Sequence, residues 1–336
     1  LVPQRVVRDA CVDVVIQGET ENVINPLLDA LQHNTPLDGI GNLWFRRDGE
    51  AVNTGQAELA DMDALPLPDK DLFWPHVSHA YSYTVMVSRG CPYNCSYCEE
   101  TCYRAIHPQG YFRRKKADTV MRELIEGKRN YNYREVIFKD SYLSGDTPWL
   151  EELMKRYKKE IHVPFKCFCT IKAFDEPTAE LLKASGCYCV EFGLQTWNDE
   201  LRERVLRRRE TSEEALRVFE LCAKHKLRYD VDHMFGLPGE SEDDHREGAR
   251  AYRSLRYLNR IKVHHLVYLP GAPIIEEALK EKAVPTGVQQ KLEEGWETDF
   301  YDADDSTAST HVKAYAALYK VLPLIPTPVL RWLLNK

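Results

Sequence analysis

The chain has 336 residues, 29% of them charged and 43% hydrophobic, with a net charge of −7, so it can bury a large core while offering no bulk electrostatic attraction for nucleic acid. No apolar run is long enough to span a bilayer, and the start, "LVPQRVVRDACVDVV", has no secretory pattern. Ten cysteines in so long a chain argue against a disulfide scaffold and for a cytoplasmic protein with a metal or cluster site.

In chain order, residues 12–16 read as a strand, followed by a Gly-Glu turn and an amphipathic helix starting near Glu21. One strand and one helix make no sheet, so this piece is expected to pack on something else. "GNLWFRRDGEAVNTG" reads as a hairpin turning at Asp48-Gly49. The proline- and acid-rich "DMDALPLPDKDLFWP" reads as an extended linker.

From Tyr81 the pattern alternates. Strands are expected over 82–87, 135–139, 165–170, 187–193, 228–235 and 263–269, and helices over 117–129, 149–160, 176–184, 199–207, 212–225 and 241–258. Repeated βα units imply a parallel sheet with right-handed crossovers, either open and doubly wound or a partial barrel. In both, the working surface is the rim at the C-terminal ends of the strands. At the far end, "LYKVLPLIPTPVLRWLLNK" carries Pro323, Pro326 and Pro328, which interrupt an amphipathic helix. Packing on the barrel is the expectation there; a partner, or a membrane surface met by Lys320, Arg331 and Lys336, is the alternative.

"SRGCPYNCSYCEE" follows the first βα strand. Its Cys91-x3-Cys95-x2-Cys98 spacing brings three thiolates toward one point. Structural zinc commonly uses two Cys-x2-Cys knuckles, and only Cys95/Cys98 is present. A ferredoxin-type run takes four cysteines; Cys102 could serve, but the first gap is one residue too long. Three ligands leave one metal corner open for a substrate or cofactor, with structural zinc or unused thiols as the alternative. Cys167, Cys169, Cys187 and Cys189 alternate on two strands and read as small core residues, with Cys169 and Thr170 near the rim.

The cysteine triad with Tyr97 before its last member resembles the signature loop of radical S-adenosylmethionine (radical SAM) enzymes. Further segments carry the resemblance over 81–278: "VIFKDSYLSGD", "CVEFGLQTWNDE", "LRERVLRRRET", "MFGLPGESEDD" and "VYLPGAPIIEEA". It implies a partial (β/α)6 TIM-like barrel in which Cys91, Cys95 and Cys98 hold a [4Fe–4S] cluster. S-adenosylmethionine would chelate the fourth iron and, after one-electron reduction, yield a 5′-deoxyadenosyl radical that abstracts hydrogen. Tyr97, Asp140, Ser141, Glu191, Gln195, Arg208, Gly236 and Gly239 are the implied cofactor contacts. Asp140-Ser141 reads equally well as a local turn, Gln195 as a hydrogen-bonded structural residue, and the arginines beside Arg208 as a solvated helix face.

The N-terminal piece resembles the tail of the cobalamin-binding domain and linker in one branch of that superfamily, which includes methylases and cyclases. The branch's Asp-x-His-x-x-Gly loop is absent, so cobalamin enters through the resemblance alone and the domain reads as truncated. The implied organisation is 1–75 remnant and linker, 76–280 radical SAM barrel and 281–336 C-terminal extension. The expected activity is hydrogen abstraction from a small-molecule or lipid-like substrate, with methyl transfer as one outcome. The alternatives are an oxidoreductase or cyclase without methyl transfer, and a non-catalytic iron–sulfur or zinc-stabilised protein. An electron donor such as flavodoxin or ferredoxin is the implied partner. The basic "YFRRKKADT" reads as a solvated loop rather than an RNA contact.

Overall fold

The N-terminal strand finds its partners in the hairpin. After a short helix, α1 (Pro3–Val6), β1 (Val14–Ile16) pairs antiparallel with β2 (Leu43–Arg47), which pairs with β3 (Glu50–Asn53). Asp48 and Gly49 take φ of 53° and 85°, the left-handed pair that a two-residue hairpin turn requires. Helix α2 (Ile24–His33) lays Leu27 on Leu43 and Phe45, a small core that one strand and one helix could not form alone. The computed structural model describes residues 2–73, 76, 81–107, 110–284, 287–294, 298–299 and 310–325.

Within the expected linker, a 3₁₀ turn at Lys70–Phe73 sets the Lys70 ammonium on the Thr84 carbonyl. Thr84 lies in β4 (Ser82–Val85), the first strand of the main sheet, and this contact covers part of that strand's free edge. Next come the short pair β5 (Ser88–Arg89) and β6 (Arg113–Arg114), then β7 (Glu135–Phe138), β8 (Phe165–Cys169), β9 (Cys187–Gln195), β10 (Arg228–Phe235) and β11 (Leu258–His265). The main sheet runs β4-β7-β8-β9-β10-β11, every neighbour parallel, and stays open between β4 and β11. This is the expected partial barrel.

Helices α3 (Glu99–Ile106), α4 (Ala117–Tyr131), α5 (Thr147–Glu160), α6 (Glu176–Ala184), α7 (Ser212–Lys224) and α8 (Glu242–Ser254) follow the strands. One sheet face packs Val85, Phe138, Phe165, Phe192 and Tyr229 against Leu124, Leu153, Tyr157, Leu182 and Phe219 of the helices. Helices α7 and α8 both begin with reciprocal capping boxes, Thr211 with Glu214 and Ser241 with Asp244. The other face is polar: Lys166 bridges Glu191 and Asp230 at 2.6 and 2.5 Å, and Lys262 bonds Glu191.

Two expected elements moved. The sixth strand lies at Leu258–His265 rather than 263–269. Its Asn259, Arg260 and Lys262 find acids on β9 and β10, so residues 259–262, unassigned between the expected helix and strand, join the strand through partners distant in sequence. The helix expected over 199–207 contracts to one π-type turn, Leu201–Val205, with Leu206 N on Leu201 O and Arg207 at φ 55°. Helix α3 was not expected; Glu99 and Glu100 in its first turn complement the helix dipole.

Beyond α9 (Ile274–Lys280) and α10 (Val288–Glu293), α11 (Thr310–Val321) packs on α8 and β11. It buries Val312, Ala316 and Tyr319, and the Tyr319 hydroxyl donates to the His245 carbonyl at 2.8 Å. Lys320 is exposed; Pro326, Pro328, Arg331 and Lys336 lie outside the described residues. Among the described residues, no helix is long and apolar enough to cross a membrane.

Candidate functional site

The cysteine loop leaves the C-terminal end of β4 and is tied down by backbone bonds. At Gly90, φ is 78° and an added Cβ would sit 2.6 Å from the Tyr111 carbonyl, so the turn before Cys91 needs glycine. The Arg104 guanidinium donates to the Cys91 carbonyl, and Thr101 Oγ1 to the Cys95 carbonyl at 2.7 Å. Ser96 is gripped from two elements: its N and Oγ donate to the carbonyls of Leu206 and Val205, and its carbonyl accepts from Ile274 N. The loop is therefore held by α3, by the 201–205 turn and by the start of α9.

Cys91, Cys95 and Cys98 are half-buried free thiols. Burial pushes Cys91 up to about 11 and Cys98 up to about 12; it also raises Cys95, against the lowering pull of Arg208. Such thiols stay protonated until a metal displaces the proton. Three thiols gathered on one loop are a soft donor set of the kind that holds zinc or an iron–sulfur cluster. Cys102, on α3, packs instead with Tyr97 against an apolar cluster that includes Leu201, Val205 and Tyr268.

Arg208 organises the next layer. Its Nη1 lies 3.7 Å from Cys95 Sγ and 3.3 Å from the Tyr97 hydroxyl, Nη2 donates to the Gly193 carbonyl at 2.7 Å, and Nε to Glu210 at 2.5 Å. Burial opposes the charge, but Tyr97, Cys95 and Glu210 outweigh it and raise the guanidinium's pKa. A Cβ on Gly193 would stand 2.9 Å from Gln195 Nε2, so glycine leaves that amide its place. Gln195 holds φ 72°, and its Oε1 is buried without a partner among the described residues, which suits a donor group of a bound molecule. A cleft of about 710 Å³ opens here, lined by Tyr93, Cys95, Thr170, Arg208 and Glu210 among others.

Asp140 lies two residues beyond the end of β7, on the same rim. Its Oδ1 accepts from Val87 N, Ser88 N and Ser88 Oγ, while Oδ2 is buried with no partner among the described residues; burial raises the carboxyl to about 6. Ser141 donates to Glu100, which also accepts from Tyr111. Glu191 is engaged by Lys166 and Lys262 on the polar sheet face. Gly236 and Gly239 take φ of 85° and 79°, and their loop folds around Glu240, which accepts from the amides of Gly236 and Leu237. The structure thus gathers Cys95, Tyr97, Gly193, Gln195 and Arg208 at one point, whereas the charge of Glu191 is spent within the sheet. Thr170, expected near the rim, does line the cleft, whereas sequence reasoning missed Glu210 and Glu100. The only signal for Glu210 was its position two residues beyond Arg208.

Residues 85–251 match the model of the Radical SAM superfamily. The chain is similar to an uncharacterized methyltransferase of Pyrococcus horikoshii, 24% identical over 288 residues, covering 84% of this chain and 60% of that one. It is also similar to a tryptophan 2-C-methyltransferase of Streptomyces laurentii, 24% identical over 182 residues, covering 49% of this chain and 29% of that one. Among solved structures, the radical S-adenosylmethionine methyltransferase TsrM of Kitasatospora setae, with cobalamin and a [4Fe-4S] cluster bound, superposes with a TM-score of 0.67 at 19% identity. That match covers 84% of this chain and 56% of TsrM. The chain thus spans at most 60% of the length of these three proteins.

Proposed function

We propose, from the premise that this chain belongs to the Radical SAM superfamily, that Cys91, Cys95 and Cys98 hold a [4Fe–4S] cluster and that S-adenosylmethionine binds beside it. When bound, these two groups supply one-electron cleavage of the sulfonium and hydrogen abstraction from a substrate. The observation that carries the reading is the approach of the largely buried Arg208 guanidinium to Cys95 Sγ, next to a Gln195 amide oxygen with no partner among the described residues.

On this reading Arg208 receives the cofactor's carboxylate, a planar cation suited to bidentate pairing. Asp140 Oδ2 and Ser141 take the methionine amine, Gln195 Oε1 accepts from the cofactor, and Tyr97 borders the adenine. The Gly236–Gly239 loop closes the pocket and keeps water out. The polar sheet face, with Lys166, Glu191, Asp230 and Lys262, favours a polar small molecule over a lipid-like substrate. The methyltransferases among the similar proteins support methylation as the outcome, with a low-potential one-electron donor as partner.

Cobalamin has no matching cradle among the described residues. His33, the histidine of the N-terminal piece, is exposed and sets its Nδ1 against the Asp29 carbonyl of its own helix. No step is derived through cobalamin.

The chain, reconstituted with iron and sulfide without oxygen and reduced with dithionite, should convert S-adenosylmethionine to 5′-deoxyadenosine. Cys98→Ala should abolish this and Cys102→Ala should not. A wild-type protein that carries a cluster yet makes no 5′-deoxyadenosine would refute the reading.

A further inference from the structure

Arg202 is the largest fully buried side chain of the molecule among the described residues, at 0% exposure. A guanidinium withdrawn from water is costly unless its donors are met, and here every bond it makes goes to the segment between the end of β9 and the start of α7. Nε and Nη2 donate to the Thr196 carbonyl at 3.2 and 2.5 Å. Nη1 donates to the Glu210 carbonyl at 2.8 Å and to Asp199 at 2.7 Å, and Nη2 to Ser212 Oγ at 3.2 Å. The backbone of the same residue acts too, since its carbonyl accepts from Arg208 N at 2.9 Å.

The residues it joins are the neighbours of the site. Thr196 directly follows Gln195. Glu210 binds Arg208 Nε, and Arg208 in turn reaches Gly193, Cys95 and Tyr97. The segment between them is irregular: its π-type turn ends in Arg207 at φ 55°, so no helical ladder fixes the spacing of Gln195 and Arg208. One planar cation with five donors can bond both carbonyls at once; a lysine ammonium on a flexible stem cannot hold that fork.

We propose that Arg202 is a positioning residue for the S-adenosylmethionine site: by clamping the Thr196 and Glu210 carbonyls it holds Arg208 at the distance from Gln195 that the cofactor needs. The inference rests on the reading of Arg208 as the carboxylate receptor. Arg202 touches neither sulfur nor cofactor, and its effect passes through Arg208.

Its test uses the anaerobically reconstituted chain as wild type, Arg202→Lys, Arg208→Lys and the double variant. Iron content, S-adenosylmethionine affinity by equilibrium dialysis, and the cofactor-induced change in the electron paramagnetic resonance of the reduced cluster are measured. Arg202→Lys should keep wild-type iron content and bind the cofactor at least tenfold more weakly, with a diminished spectral change. The double variant should bind no more weakly than Arg208→Lys alone, a non-additivity that general destabilisation would not produce. Arg202→Lys with wild-type affinity, or full additivity in the double variant, would overturn the inference. Wild-type affinity in Arg208→Lys would remove the carboxylate-receptor reading and the inference with it. Should Arg202→Lys fail to fold, Asp199→Asn carries the test. It strips an ionic partner that is half exposed, a severalfold weaker affinity is expected, and an unchanged one overturns the proposal.

Discussion

At the scale of single residues, buried titratable groups couple the site's surroundings to pH. Glu240 is enclosed by its own loop, and burial raises it to about 8 although the Gly236 and Leu237 amides favour its charge. Its Oε1 and the facing His245 Nδ1, 3.7 Å apart, have no other partner among the described residues. The folded chain holds this proton where the unfolded chain has released it. Stability is therefore fully present below the unfolded value near 4.5 and declines as pH rises toward 8, by roughly 1.4 kcal/mol per pH unit. His245, lowered by burial to about 4, acts oppositely, losing stability as pH falls below its ordinary range. Comparing wild type with Glu240→Gln cancels that contribution. The melting temperature of Glu240→Gln should gain on wild type between pH 5 and 8 and then level; a constant difference would refute the buried proton. Tyr97, Gln195 and Arg208 were legible as candidates only through the resemblance of their segments to the family's. Glu210 and Arg202 were not, because what they do depends on carbonyls that only the folded loop brings near.

At the scale of elements, most boundaries followed from periodicity and caps. β10 and α6 fall where expected, and α7 begins at its capping box. The exceptions share a cause: β11 and the 201–205 turn are decided by ionic and carbonyl partners contributed from elsewhere in the fold. Helix α4 shows the same override in its packing. Gly127 lies in its interior, where alanine would raise helix propensity by about 1 kcal/mol. A Cβ there would come 2.5 Å from the Tyr83 ring, which is buried on β4 beside Tyr133 at 4.8 Å. Gly127→Ala should therefore destabilise the protein, by about 1–3 kcal/mol for overpacking less the propensity gain, measured by urea denaturation. A stabilised variant would mean that α4 does not sit this close to the sheet.

At the scale of the whole molecule, the pieces converge on the cysteine loop. The N-terminal sheet reaches it through Glu19 and Glu21, which pair with Arg89 two residues before Cys91; Glu19 also holds Arg113. Three α/β units further along, the end of β9 supplies Gln195, and Arg208 follows. The parallel sheet was legible from the alternating rhythm and its partial-barrel form from the family resemblance, and the three-thiol loop from its spacing. The joining of β1 to the hairpin and the seat of α11 on α8 were hidden, since both depend on long-range partners. The central claim is that three cysteines hold an iron cluster and leave one iron free for a sulfonium cofactor. Mössbauer spectroscopy of the ⁵⁷Fe-reconstituted chain, with and without S-adenosylmethionine, tests it most directly. The account predicts four irons, one of which alone changes its signal when the cofactor binds. Four irons that stay alike and unmoved, or a single tetrahedral metal, would contradict it.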